Sequence, residues 1–228
     1  MTKPNRSLEQ KIDDTKDAIQ EKQSIVTYLS WALLAGTATF SLFTQNWDTV
    51  FLSVVVFILT LLPFVFQSFS KFHLPSGLVG GIVFFMVATI LLGEVGNFYE
   101  RFWWWDAALH TFSAIGISIM GMLIVLFLIR GDRIRAHPAF MLVLMAFSFA
   151  VSIGTIWEIF EFGMDELMGT NMQKSGLIDT MYDLIVDVVG AAIGASAGYI
   201  YLRAKGHGSG LLSNRIEETV EQNPEHFK

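Results

Sequence analysis

Six long apolar runs separated by short polar segments dominate the sequence. A helix needs about 20 apolar residues to cross a hydrocarbon core of about 30 Å, and each run approaches or exceeds that length. The pattern therefore predicts six transmembrane helices, over residues 25–44, 48–67, 77–97, 106–129, 138–162 and 178–203. Pro63 is expected to kink the end of the second helix, and Pro138 suits the first turn of the fifth.

Polar segments flank this predicted transmembrane domain of residues 25–203. In residues 1–24, Leu8, Ile12, Thr15 and Ile19 have helical spacing. This predicts either an amphipathic helix at the membrane surface or a solvated tail. The first apolar run lies too far from the start for an ordinary signal peptide, so we expect it to remain as an anchor. Residues 204–228 are expected to form a C-terminal tail.

The positive charges predict the orientation. Arg101 and Lys174 lie on one side of a six-span topology, and every other Lys and Arg lies on the opposite side. Because loops rich in Lys and Arg remain in the cytoplasm, both termini are expected to be cytoplasmic. The chain is thus predicted to be an all-α, multi-pass helical bundle in a plasma (inner) membrane, surrounded by membrane lipids.

Composition supports a membrane protein and excludes several other classes. The 228 residues are 53% hydrophobic and include 20 Phe, with no Cys, and the mean hydropathy is +0.50. Disulfides, thiolate nucleophiles and zinc–thiolate sites are therefore excluded. There is no P-loop, dinucleotide fingerprint or Gly-x-Ser-x-Gly motif, and no basic surface that would indicate nucleic acid.

Acidic residues interrupt the apolar runs at helical spacing. Glu158 and Glu161 are three residues apart, and Asp106 and His110 are four apart, so each pair shares a helical face. Asp179, Asp183 and Asp187 continue the four-residue spacing for two turns. Acids within a membrane are costly unless they face a partner, an ion or water. In the six-span topology all of these residues fall in the outer half of the membrane.

A divalent metal site is one interpretation of these acids. The candidate ligands are Asp106, His110, Glu158, Asp183 and Asp187. Oxygen-rich ligation suits Mg, Mn or Ca, and the histidine leaves Zn or Fe open. Glu161 is the candidate general base, and Arg101 could bind a phosphate or carboxylate headgroup. The alternatives are a proton-sharing network that packs the helices and a path for protons or cations.

Three further sets of residues each have both a structural and a functional interpretation. Asp106 and Asp179 could be helix N-caps, and Glu94 could bond to a neighbouring helix or join the site. The aromatic residues before the fourth span could form an interfacial belt or the walls of a lipid site; they are Tyr99, Phe102, Trp103, Trp104 and Trp105. Small residues every four positions in the sixth span allow close helix packing, within the chain or in a homo-oligomer; they are Gly190, Gly194 and Gly198.

Three stretches together resemble the YjdF-like family of bacterial inner-membrane proteins. They are the run from Trp103 to His110, the run from Gly154 to Glu161, and Asn171-Met-Gln with the run from Asp179 to Asp187. That resemblance implies a fold and a location, without an activity.

A looser resemblance connects the chain to VanZ-like membrane proteins, which carry an Asp–His pair, a later Glu and a final Asp. Asp106, His110, Glu158 and either Asp183 or Asp187 follow that order. The sequence departs from the pattern at Glu161 and Asp187, where such proteins carry Gln and Asn. The VanZ link to glycopeptide resistance implies work on the cell envelope, by analogy alone.

These observations favour a metal-dependent hydrolase or transferase that acts on a lipid or lipid-linked envelope substrate at the outer leaflet. A cation or proton transporter is the first alternative, although the inner halves of the spans carry almost no ionisable residues. A non-catalytic membrane protein with a binding or structural role is the second.

Overall fold

The structure is a computed structural model that describes residues 23–70, 72–129, 137–204 and 210–227. The described residues form helices and contain no strand, and six helical segments are long and apolar enough to cross a membrane. The predicted all-α fold with six spans is therefore confirmed. The helices are α1 (Ile25–Phe43), α2 (Trp47–Thr60), α3 (Leu62–Ser70), α4 (Ser76–Met86), α5 (Phe98–Arg101), α6 (Trp105–Ile129), α7 (Ala139–Met168), α8 (Leu177–Arg203), α9 (Leu211–Gln222) and α10 (Pro224–Phe227).

The second span consists of α2 and α3, which are separated at Leu61. Pro63 lies in the first turn of α3, so the helix is interrupted next to the proline, as the sequence predicted. Pro138 immediately precedes α7 and occupies its N-cap position. A proline is tolerated there because N–H groups at the start of a helix have no carbonyl acceptor within the helix, so the N–H that proline lacks is not needed.

The fifth span extends six residues further than predicted. We had assigned residues 163–177 to a connection, but α7 continues through Gly163 and ends at Met168. Gly169 adopts the left-handed conformation, with φ of 67°. This conformation ends helices and suits glycine, which has no Cβ to clash. The helix therefore continues through Gly163 and stops at its C-cap, Gly169.

The chain divides into two compact units, and the first comprises residues 1–101. Its described part contains α1 to α5 and a π-helical segment, Val87–Val95, that continues α4. One buried cluster consists of Leu34, Val56, Val87 and Leu91, and another of Phe64, Leu74, Val79 and Val83. Trp31 packs against both clusters and donates a 3.0 Å hydrogen bond from its indole nitrogen to the Thr60 hydroxyl.

The second unit, residues 102–228, is built around the mutual packing of α6, α7 and α8. A Cβ atom added at Gly190 would lie 2.5 Å from the Thr111 carbonyl oxygen, and one at Gly194 would lie 2.7 Å from that of Ile115. The Ser118 hydroxyl donates a 3.0 Å hydrogen bond to the Ala191 carbonyl across the same seam. The glycine face of α8 is thus packed against α6 of the same chain. A homo-oligomer stays a prediction.

The C-terminal segment contains two helices. α9 packs against α8 and α6, and α10 packs against α6. Ile216 and Phe227 are buried, and the rings of Phe127 and His226 are 6.2 Å apart. The expected C-terminal tail therefore contains folded structure over residues 211–227. The amphipathic helix predicted within residues 1–24 lies, apart from its last two residues, outside the described residues.

Candidate metal centre

Asp106 and His110 lie on one face of α6, near the N-terminal end of that helix. His110 is 9% exposed. The four-residue spacing brings the Nε2 atom of His110 to 3.9 Å from Oδ1 of Asp106. α6 begins at Trp105 and α8 follows an N-cap at Gly176. Asp106 and Asp179 are therefore inside the first turns of their helices, and the interpretation of either residue as an N-cap is wrong.

Helix α8 brings two buried aspartates to the same imidazole. Oδ1 of Asp187 lies 3.3 Å from Nδ1 of His110. Asp183, one turn earlier, offers a carboxylate oxygen that lies within 4.8 Å of ligand atoms from both Asp106 and His110. Both aspartates are 3% exposed. Two helices therefore place three carboxylates around the histidine, with Asp187 nearest Nδ1 and Asp106 near Nε2.

Helix α7 contributes Glu158, which is also 3% exposed. Its Oε1 atom lies 3.9 Å from Nε2 of His110. Neither carboxylate oxygen of Glu158, nor Oδ2 of Asp187, has a hydrogen-bond partner among the described residues. Buried polar atoms of folded proteins are nearly always bonded to something. These oxygens therefore require a proton, a cation or a water molecule between the three helices.

Gly154 makes room for this arrangement. A Cβ atom at this position of α7 would collide with Oδ2 of Asp187. Any other residue would push the aspartate away from His110 or separate α7 from α8. Gly154 lies one helical turn from Glu158 and therefore on the same face of α7.

The charge of the cluster is not balanced by basic side chains of its own helices. Asp106, Glu158, Asp183 and Asp187 surround one imidazole, while α6, α7 and α8 contain no Lys or Arg before Arg203, the last residue of α8. Burying carboxylates without compensation costs several kcal/mol per ion. His110 can offset one charge at most, and α6, α7 and α8 supply no Lys or Arg to the three buried carboxylates before Arg203.

Glu161 lies one turn beyond Glu158 and is partly exposed. Its Oε1 atom accepts a 2.9 Å hydrogen bond from the indole nitrogen of Trp157. Its carboxylate is also within electrostatic range of Glu158, His110 and Asp106. It is therefore a partly accessible carboxylate at the edge of the cluster, which is the position that a general base requires.

The remaining predicted residues lie elsewhere. Arg101 is the last residue of the first unit, and the exposed Glu94 is in the π-helical segment of that unit. The cluster belongs to the second unit alone. The aromatic side chains of that unit near α6 contact one another, with ring centroids 5.8 Å apart for Phe102 and Trp104 and 5.6 Å for Trp104 and Trp105. Trp103 is 91% exposed, which is typical of an interfacial belt.

Asp165 organises the connection between α7 and α8. Its Oδ1 atom accepts hydrogen bonds from the Thr170 hydroxyl and the Met172 amide, at 2.6 and 2.7 Å. Its Oδ2 atom accepts one from the Gln173 amide at 2.8 Å. The Gln173 side chain then donates a 2.6 Å hydrogen bond to the Thr180 hydroxyl on α8. Spacing alone did not indicate these contacts.

Comparison with known proteins supplies the family. The family described as "Predicted membrane protein (DUF2238)" matches residues 25–204, which include all six spans and the whole cluster. The chain belongs to this family. An uncharacterized protein of Thermotoga maritima is 30% identical over 129 residues, which are 56% of this chain and 65% of that protein. The chain thus matches slightly less than two thirds of this relative. No solved structure matches the chain.

These results establish a predicted membrane protein family and no activity. Membership of this family is compatible with the resemblance to YjdF-like proteins. Family membership alone does not establish that resemblance. The resemblance to VanZ-like proteins stays a resemblance.

Proposed function

We propose that the second unit binds a divalent cation between α6, α7 and α8, and that the protein is a metal-dependent membrane hydrolase or transferase. The observation that carries this proposal is Glu158, which is almost fully buried and has two oxygens without hydrogen-bond partners beside His110. Apart from Arg203, the last residue of α8, helices α6, α7 and α8 contain no Lys or Arg, and a divalent cation would offset two of the charges of the cluster.

The two ring nitrogens of His110 have different roles in this proposal. Nδ1 faces Asp187 at 3.3 Å, which favours the tautomer that carries its proton on Nδ1. Nε2 is then available to donate an electron pair, 3.9 Å from oxygens of Asp106 and Glu158, and Asp183 offers a carboxylate oxygen within 4.8 Å of a ring nitrogen. Those four side chains are the proposed ligands. Asp187 orients the ring in the manner of the carboxylates that commonly support metal-binding histidines, so we no longer assign it as a ligand.

The substrate class follows from where the cluster lies in its helices. Asp106 and His110 are in the first two turns of α6, next to the exposed Trp103 and the partly exposed Trp104. A bound cation would polarise a carbonyl or phosphoryl oxygen and make a coordinated water more acidic. Glu161 would accept the proton of that water, and lipid or lipid-linked headgroups are the substrates within reach of the membrane surface. The role of Arg101 as a headgroup ligand remains part of the proposal.

Metal content is the first test. The purified chain in detergent would be stripped with a chelator, reloaded with Mn²⁺ and measured by elemental analysis. We expect near-stoichiometric Mn²⁺ in the wild type and loss of binding in Glu158→Gln and His110→Ala. Glu166→Gln is the matched control, because Glu166 is an exposed acid of the same helix. Equal Mn²⁺ content in all four proteins, or none in the wild type, would contradict the proposal.

The affinity for Mn²⁺ should also fall as the pH is lowered. The proposed ligands bind a cation only when deprotonated, so protons compete with the metal for Asp106, His110, Glu158 and Asp183. A titration with Mn²⁺ at several pH values measures this competition. An affinity that does not change between neutral and acidic pH would show that Mn²⁺ binds elsewhere.

A second assay separates metal binding from catalysis. Glu161→Gln should retain Mn²⁺ and lose turnover of a lipid extract by about 10²–10⁴-fold, the usual contribution of a general base. Ion flux into proteoliposomes tests the transporter alternative. From residue 111 to the end of α6, and from residue 188 to residue 202 of α8, there is no Asp, Glu, His, Lys or Arg. We therefore expect no flux, and flux that Glu158→Gln abolishes would overturn the enzyme proposal.

We further propose a location in the bacterial plasma membrane with both termini in the cytoplasm. The distribution of Lys and Arg supports this orientation. Because the chain has no Cys, a single introduced cysteine reports its own accessibility. A membrane-impermeant maleimide should label Lys174→Cys on intact cells and Glu225→Cys only after lysis. The opposite pattern would reverse the orientation.

A further inference from the structure

We infer that Gln173 and Thr180 are positioning residues, which direct the Thr180 hydroxyl proton at Glu158 and so connect the α7–α8 loop to the acidic cluster. This inference rests on the proposed function and adds two residues to its site. Neither residue is ionisable, and neither was a candidate from the sequence.

The loop that carries Gln173 has a defined conformation. Three hydrogen bonds from the Thr170 hydroxyl and the Met172 and Gln173 amides end on the single carboxylate of Asp165. Glycines in the left-handed region stand at both ends of the loop, Gly169 with φ of 67° and Gly176 with φ of 63°. The backbone of Gln173 is therefore held against the last turns of α7, and its side chain extends toward α8.

The hydrogen bond from Gln173 leaves the Thr180 proton free to point elsewhere. A threonine hydroxyl can accept two hydrogen bonds and donate one. Because the Gln173 amide nitrogen donates to Oγ1 of Thr180 at 2.6 Å, the proton of that hydroxyl needs a different acceptor.

Glu158 is the acceptor that the geometry favours. The Thr180 hydroxyl lies close enough to the Glu158 carboxylate to interact with it electrostatically, and neither oxygen of that carboxylate has a hydrogen-bond partner among the described residues. Thr180 precedes Asp183 by three residues, so it lies on the same face of α8 as the aspartates of the cluster. A hydroxyl donates more strongly to an ionised carboxylate than to a neutral acceptor.

A hydroxyl in this position would restrict how Glu158 is used. One oxygen of Glu158 would accept the Thr180 proton, and the other would remain available to a cation beside Nε2 of His110. Partners of this kind fix the orientation of a ligand, and their loss commonly reduces metal affinity by about 10- to 100-fold. The loop would thus act on the site through two side chains, without a residue of its own touching the ion.

Paired substitutions separate positioning from packing. Thr180→Val keeps the shape of the side chain and removes the proton, whereas Thr180→Ser keeps the proton and removes a methyl group. Mn²⁺ titration of the full chain in detergent should show about 10- to 100-fold weaker binding for Thr180→Val and near wild-type binding for Thr180→Ser. Thr155→Val is the control, since that exposed hydroxyl bonds only to the Val151 carbonyl of its own helix.

Gln173→Glu tests the direction of the hydrogen bond. A carboxylate at residue 173 can only accept, so the Thr180 proton would turn toward it and away from Glu158. We expect binding as weak as that of Thr180→Val. Two results would overturn this inference and leave the proposed function intact. One is wild-type Mn²⁺ affinity in both Thr180→Val and Gln173→Glu. The other is a loss of affinity in Thr180→Ser that equals the loss in Thr180→Val. Absence of Mn²⁺ binding by the wild type would overturn the proposed function and this inference with it.

Discussion

In the first unit the buried polar side chains are hydroxyls and one amide, whereas the second unit also buries three carboxylates and an imidazole among its described residues. The hydroxyls of Ser53, Thr60 and Ser68 bond to carbonyl oxygens three or four residues earlier in their own helices. Each of these hydroxyl protons therefore has an acceptor within its own helix, and the Thr60 oxygen also accepts a hydrogen bond from Trp31. Glu158 and Asp187 cannot be satisfied in this way, and oxygens of both remain without partners.

The difference shows which polarity in a membrane helix requires a functional explanation. A serine or threonine that bonds to its own backbone costs little in lipid, so the first unit can be explained by packing alone. An acid in the same setting needs a partner from outside its helix. The second unit gathers such acids from three helices at one level, and this convergence is what distinguishes a site from a set of tolerated polar residues.

The largest expected effect within this comparison concerns Gly154. Gly154→Ala would place a Cβ against Oδ2 of Asp187, displace the aspartate from His110 and reduce Mn²⁺ affinity by about 10- to 100-fold, as loss of an orienting carboxylate does. Gly163→Ala on the same helix is the control, because a Cβ there meets nothing within 4 Å. Equal Mn²⁺ titrations for the two variants would show that Asp187 does not need its present position.

The next effect concerns the seam between α6 and α8. Gly190→Ala would bring a methyl group to 2.5 Å from the Thr111 carbonyl oxygen, and we expect a loss of about 1–3 kcal/mol in the free energy of unfolding. Gly116→Ala on α6 meets no atom within 4 Å and should be neutral or stabilising by up to about 1 kcal/mol. Unfolding in mixed detergent measures both variants. Similar stabilities would mean that the helices are not closely packed there.

The smallest expected effect is in the first unit. Ser53→Ala removes a hydroxyl that bonds only to the Thr49 carbonyl of its own helix. That carbonyl retains its helical hydrogen bond, so the free energy of unfolding should change by less than about 1 kcal/mol. The same unfolding assay applies. A loss of several kcal/mol would show that buried hydroxyls in this unit have a role beyond their own helix, and would remove the contrast between the units.

Much of the site could be predicted because helical spacing decides which residues share a face. Asp106 with His110, and Asp183 with Asp187, required only the four-residue repeat. Whether the faces meet depends on how each helix is rotated, and the glycine repeat of α8 addresses this. Asp183, Asp187, Gly190 and Gly194 form a single stripe on α8, so the helix that packs against the glycines also faces the aspartates.

Other features could not be obtained from spacing. Both Gly163 and Gly169 could end α7, and only the backbone conformation distinguishes them. The hydrogen bond between Gln173 and Thr180 depends on how Asp165 folds a short loop, which is a tertiary property.

The length of α7 has a consequence for the surrounding lipid. Its 30 residues extend about 45 Å, roughly 15 Å more than the hydrocarbon core of a typical bilayer. A helix of this length must tilt or project into the headgroup layer. Glu158 lies about 29 Å from the first residue of the helix, so the depth of the acidic cluster depends on bilayer thickness. The acyl chain length of the surrounding lipid therefore affects how deep the acidic cluster lies in the membrane.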